Sequence, residues 1–205
     1  MPLYQNFSDE SATVWVWKYD EDEELNPDIL LEPENYEKVT HYHPKKVAEV
    51  LMVRKMLKQL LPEHKILYKE NGEPYLEPAD KEISISHSFP LAAIAISDKK
   101  VGIDLERIKD KIVKIRHKFT LHESSFIETS QEKEYLTAIW CVKESLYKLH
   151  HSKFWSLKKN YEVEAFHLQD LENVRCKVYD DTFSDYFWAQ LKRFDDFFFS
   201  IVVES

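Results

Sequence analysis

Two glycines, Gly72 and Gly102, are all that this chain of 205 residues contains. Glycine is the default residue where a backbone turns through positive φ or lets another chain come very close. A sequence so poor in it cannot build the glycine-rich loops that cradle phosphates in P-loop or dinucleotide-binding folds. Each of the two glycines therefore marks a place with a special demand. Twelve Phe, eleven Tyr and five Trp supply bulky core material. The length suits one compact domain or two small intimate ones.

The hydrophobic periodicity changes along the chain. Residues 13–19 are β-branched and aromatic with near alternation, which predicts a strand. An acidic loop follows, and residues 28–39 predict a short helix. From Pro44 to Leu61 the apolar residues Val47, Val50, Leu51, Leu57, Leu60 and Leu61 recur at helical spacing. Pro44 suits a first helical turn and Pro62 a stop. Residues 65–75 read as a hairpin around Asn71-Gly72. Strands are predicted over 82–86, 91–97 and 101–106. Helical spacing returns over 121–129 and, most strongly, over 131–150. The tail predicts antiparallel strands over 161–168, 175–179, 186–193 and 197–203. Strand, helices, hairpins, helices, strands is the order of an α+β fold rather than of alternating α/β units. No Gly-, Ser- or Pro-rich linker and no internal repeat interrupts it.

The net charge of −9 argues against a broad nucleic-acid surface. Two cysteines, Cys141 and Cys176, provide neither a disulfide framework nor a zinc quartet. The first thirty residues are acidic and interrupted, unlike a signal peptide or a membrane span. The reading is a cytoplasmic protein with no membrane and no nucleic-acid partner.

Three elements carry candidate chemistry. In Val101-Gly102-Ile103-Asp104-Leu105-Glu106 the strand period puts Asp104 and Glu106 on one face. Paired carboxylates repel unless a cation sits between them, and hard oxygen ligands suit magnesium. Gly102 would let a backbone or a ligand come close. In the helix, Trp140, Glu144 and Lys148 stack at intervals of four, offering an aromatic, a carboxylate and an ammonium. Ser84-Ile85-Ser86-His87-Ser88 ends a strand with groups suited to an anion. Each element alone is also ordinary structure: a solvated strand face, a Glu–Lys helix pair, a structural histidine. No G-x-S-x-G elbow is present, and Ser86 beside His87 does not make a triad.

Order and spacing together resemble the 4′-phosphopantetheinyl transferase superfamily, in its larger surfactin-synthetase-activating type. The family pattern is a G-K-P-like turn, S-H-S, G-[IV]-D-x-E and W-x-x-K-E-[SA]-x-x-K. Here it reads Gly72-Glu73-Pro74, Ser86-His87-Ser88, Gly102 to Glu106 and Trp140 to Lys148. Phe119-Thr120-Leu121-His122-Glu123 resembles the intervening F-[ST]-x-x-E segment, and the helix bearing Arg54 resembles the arginine helix of the first half. The resemblance spans roughly residues 28–165.

It implies two similar α+β halves, residues 1–100 and 101–205, related by a pseudo-two-fold axis. The cofactor cleft would lie between them, with the metal site in the second half. It implies transfer of the phosphopantetheine arm of coenzyme A to a serine of an acidic acyl or peptidyl carrier protein, by a magnesium-dependent monomer. Asp104, Glu106 and Glu144 would match the metal ligands. Arg54, Ser86, His87, Asp104 and Lys148 would match groups that bind coenzyme A. Glu144, acting directly or through a water, and Lys148 would match the catalytic groups. Lys143 lies off their helix face. The basic run Arg107, Lys109, Lys111, Lys114, Arg116 and Lys118 would meet the acidic carrier, or else be solvated surface.

Two departures stand out. Glu73 replaces the usual basic residue of the turn, where Lys45, Lys46 or Lys69 could offset it. Residues 149–155 replace a glycine-bearing segment. A coenzyme A- or carrier-binding member without catalysis, and another metal-dependent phosphoryl-transfer enzyme, remain alternatives.

Overall fold

The structure, a computed structural model, describes residues 3–150 and 156–204. It divides into two compact units, Met1–Asp98 and Lys99–Ser205. Both combine helices with antiparallel sheet, giving the α+β class.

The first unit runs β1 (Leu3–Asn6), β2 (Thr13–Lys18), α1 (Pro27–Leu30), α2 (Pro33–Thr40) and α3 (Pro44–Leu60). It continues with β3 (Lys65–Tyr68), β4 (Pro74–Glu77), β5 (Glu82–Ser88) and β6 (Leu91–Ser97). The single helix expected over 28–39 is two helices, because Pro33 drives the residue before it out of the helical region. Glu32 there is extended, and Pro33 then opens α2. Pro44 opens α3 in the same way, with the His43 ring accepting the Lys45 amide at 3.3 Å.

The main sheet has the order β1-β2-β6-β5. Along β5, Ile83 and Ile85 share a core with Met52, Val53 and Met56 of α3. The strand period carries His87 to that same face and turns Ser84, Ser86 and Ser88 to the other. The β3–β4 hairpin turns at Gly72, whose φ of 82° is the left-handed conformation glycine tolerates.

The second unit runs β7 (Val101–Arg107), α4 (Lys111–Ile115), α5 (Glu132–His150), β8 (Tyr161–Val163), β9 (Val174–Tyr179), β10 (Ser184–Phe194) and β11 (Phe197–Val203). Its sheet order is β7-β11-β10-β9-β8. Helix α5 lies on one face, and its Leu136, Ile139 and Leu146 join a core with Phe198 and Val202. The helix expected over 121–129 is instead two short 3-10 turns, His122–Ser125 and Thr129–Gln131. The strand expected over 161–168 stops at Val163. Four of the six residues of the basic run are helical, Lys111 and Lys114 in α4 and Arg116 and Lys118 in the 3-10 turn Arg116–Lys118 that follows it. Among the described residues no helix is long and apolar enough to cross a membrane.

Candidate active site

Gly102 sets the geometry of the second unit. A methyl group on it would sit 1.9 Å from the Ser145 carbonyl oxygen, so only glycine lets α5 lie this close to β7. The close approach demanded of Gly102 is thus made by the helix backbone. The Cys141 thiol donates to the Phe198 carbonyl and the Ser145 hydroxyl to the Ser200 carbonyl, fastening α5 across to β11. This seating brings Glu144 and Lys148 of the helix against Asp104 and Glu106 of the strand.

Lys148 Nζ donates to Asp104 Oδ1 and to the Ile103 carbonyl, each at 2.8 Å. Asp104 is buried, and Glu106 and Glu144 are half-buried. Burial together with the Asp104 charge pushes Glu106 up to about 7, against the pull of Lys109, the Trp140 indole N–H and Lys148. Burial and Asp104 push Glu144 likewise to about 7, with Glu106 adding to the rise and Lys148 opposing it. The three carboxylates therefore share one field in which negative charge is in excess. Trp140 supports the group from the side, its ring meeting Phe119 edge-on at 5.0 Å.

Three carboxylates of this kind are a hard-oxygen donor set, which fits magnesium by chemistry. Among the described residues no group of three or more His, Cys, Asp and Glu side chains is already drawn together as a metal-binding set. The fit is one of donor type and charge.

Lys143 turns away from this face into the protein. Its ammonium is fully buried and meets Glu123 Oε1 at 2.6 Å, the Phe119 carbonyl at 2.7 Å and the Leu157 carbonyl at 3.2 Å. Burial pulls its pKa down, and the Glu123 carboxylate holds against that. Glu123 in turn accepts the amides of Leu121 and Val163. The pair is an internal strut joining α5, the 119–123 segment, Leu157 and β8.

The remaining candidates lie in the first unit. His87 is half-exposed beside Lys46 and Glu49 of α3. Ser86 is 5% exposed and points to the opposite face of β5, so these neighbours in sequence do not line the same surface. Arg54 lies further along α3 and is 4% exposed. It donates to the Ile66 carbonyl at 3.2 Å and stacks 5.6 Å from the Tyr68 ring. Glu73 is offset by Lys69 at 2.6 Å and held by Asn71, so its charge is answered within its own hairpin. The second departure is partly visible: Leu149 and His150 end α5, and residues 151–155 lie outside the described residues.

Sequence reasoning missed Glu49. Its place three residues after Lys46 reads as a surface helix pair, yet it is buried and accepts the Phe89 amide from 40 positions away.

Residues 100–202 match the family model described as the 4′-phosphopantetheinyl transferase superfamily. Over 108 residues the chain is 37% identical to the 4′-phosphopantetheinyl transferase gsp of Aneurinibacillus migulanus, covering 48% of this chain and 44% of that protein. Over 86 residues it is 34% identical to the 4′-phosphopantetheinyl transferase of Bacillus subtilis, covering 39% of this chain and 38% of that one. The matched part thus spans less than half the length of these curated relatives.

Proposed function

Because the chain belongs to the 4′-phosphopantetheinyl transferase superfamily, we propose that it transfers the phosphopantetheine arm of coenzyme A to a serine of an acidic carrier protein. The observation that carries this reading is the gathering of Asp104, Glu106, Glu144 and Lys148 where α5 meets β7. Held by the three carboxylates, magnesium would supply positive charge to the pyrophosphate oxygens of coenzyme A.

The chain's own groups account for the rest. A serine hydroxyl is a weak nucleophile at its free pKa and needs a base. Glu144, on the α5 face that Lys148 shares, is the group assigned to take that proton, directly or through a water. The serine oxygen forms its bond to the β-phosphorus as the bond from that phosphorus to the bridging oxygen breaks. The serine proton goes to Glu144, directly or through a water, and the bridging oxygen leaves with adenosine 3′,5′-bisphosphate. Lys148 is already held by Asp104 and Ile103, so its ammonium is positioned to stabilise charge on the phosphoryl oxygens. Lys111, Lys114 and Lys118 stand exposed on α4 and the turn after it, a basic surface suited to an acidic carrier.

The test is incubation with coenzyme A, magnesium and an apo carrier, following adenosine 3′,5′-bisphosphate release and modification of the carrier serine. Coenzyme A cleavage without modified carrier would favour a hydrolytic phosphoryl enzyme. Binding without release would favour a non-catalytic member.

A further inference from the structure

We infer that Glu49 is a positioning residue that locks His87 and Lys46 into one anion-binding unit on the first unit of the chain. That the anion is a phosphate of coenzyme A rests on the function proposed above; the lock itself does not.

Glu49 and Lys46 occupy the first turns of α3, three residues apart and therefore on one side of the helix. His87 reaches them from the end of β5, on the face that packs against α3. Lys46 Nζ is hydrogen-bonded to His87 Nε2, and His87 Nδ1 faces Glu49 Oε2 at 3.3 Å. Lys46 also lies 3.6 Å from Glu49 Oε2. The other carboxylate oxygen, Oε1, accepts the Phe89 amide at 3.1 Å. An ammonium has only donors, so the ring nitrogen it meets must accept. The ring proton of this arrangement therefore sits on Nδ1, where Glu49 receives it.

The chain of contacts has one direction. The backbone of Phe89 fixes the carboxylate, the carboxylate fixes the imidazole, and the imidazole fixes the ammonium. Exposure rises along it: the Glu49 side chain is 11% exposed and that of Lys46 41%. A buried carboxylate held by a backbone amide makes a rigid base, and an ammonium at the outer end makes a hook with donors still facing water. An ordinary surface lysine must give up side-chain freedom to grip an anion, whereas this one is already held. Lys45, stacked 5.2 Å from the Phe89 ring, adds positive charge beside it.

Glu49→Gln separates this reading from simple structural support. Glutamine has one oxygen and one amide group where the carboxylate had two acceptors. If its oxygen keeps the Phe89 amide, its NH2 faces His87 Nδ1, and that nitrogen must become the acceptor. The ring proton then moves to Nε2 and opposes the ammonium of Lys46.

The experiment has two readouts. Nitrogen-15 NMR of the imidazole should show Nδ1 protonated in the unaltered protein and Nε2 protonated in Glu49→Gln. Calorimetric titration with coenzyme A should show roughly tenfold weaker binding by the variant, the scale of one charge-assisted contact. Lys46→Met, which leaves the buried carboxylate untouched, should weaken binding by a similar factor. The double variant should be little worse than either single one, because both remove the same contact. Losses that multiply in the double variant, or an unchanged tautomer in Glu49→Gln, would overturn the inference. A protein that binds coenzyme A in this pattern yet transfers nothing would instead refute the proposed activity and leave the lock standing.

Discussion

Replacing Glu144 by glutamine should make the metal-free protein more stable at high pH and hardly change it at low pH. Burial and the Asp104 charge raise Glu106 and Glu144 from 4.5 to about 7. Between those two values the folded protein holds protons that the unfolded chain releases, so stability falls as pH rises through that window. The penalty is absent below the lower value and complete above the upper one. A shift of this size corresponds to about 3 kcal/mol for one group. Part of it is repulsion that the two glutamates share and part is softened by water, so the glutamine variant should recover ~2 kcal/mol at about pH 8. In a chain of this length that is a rise of roughly 4–8 °C in the unfolding midpoint. Thermal and urea unfolding at about pH 5 and about pH 8, in chelator and low salt, reads the difference. Magnesium should then raise the midpoint of the unaltered protein at the higher pH more than that of the variant. A variant that gains no more at the higher pH than at the lower would refute the claim that these carboxylates crowd one another.

Other outcomes follow from single contacts. Lys143→Met strands the Glu123 carboxylate in the interior and should cost roughly 3–5 kcal/mol, read as a lower urea midpoint. Gly102→Ala forces a methyl against the Ser145 carbonyl and should destabilise by at least about 1–3 kcal/mol, with loss of whatever activity depends on the α5–β7 contact. Reversing Lys111 and Lys114 to Glu should raise the KM for an acidic carrier and leave that for coenzyme A unchanged, with the effect fading above roughly 0.15 M salt. Glu73→Lys should alter coenzyme A affinity less than a bare charge reversal would, about twofold or less, because Lys69 already answers Glu73; calorimetry of the two proteins measures it.

The elements that sequence reasoning placed are those whose signals are local. Pro44 and the apolar spacing after it define α3, and the spacing of Leu136, Ile139 and Leu146 defines α5. Two-residue alternation was enough to put Asp104 and Glu106 on one face, and four-residue spacing to align Glu144 with Lys148. What was illegible depends on distant partners. The 121–129 segment is apolar enough for a helix, but the Glu123 side chain turns inward to Lys143 and takes the Leu121 and Val163 amides. Only 3-10 turns remain there. Arg54 is matched to a coenzyme A group through the family resemblance alone, and its contacts with Ile66 and Tyr68 of the β3–β4 hairpin have no local signal in α3. Glu49 carries no signal of its own, because its partners Phe89 and His87 meet it only once β5 has packed on α3.

The most direct test of the account is the intact mass of an apo carrier protein after incubation with coenzyme A. It compares the unaltered protein with magnesium, the same protein in chelator, and a folded Asp104→Ala variant with magnesium. The carrier serine should gain one phosphopantetheine arm in the first reaction and none in the other two. Full modification by Asp104→Ala, or none by the unaltered protein although it binds both coenzyme A and carrier, would contradict it.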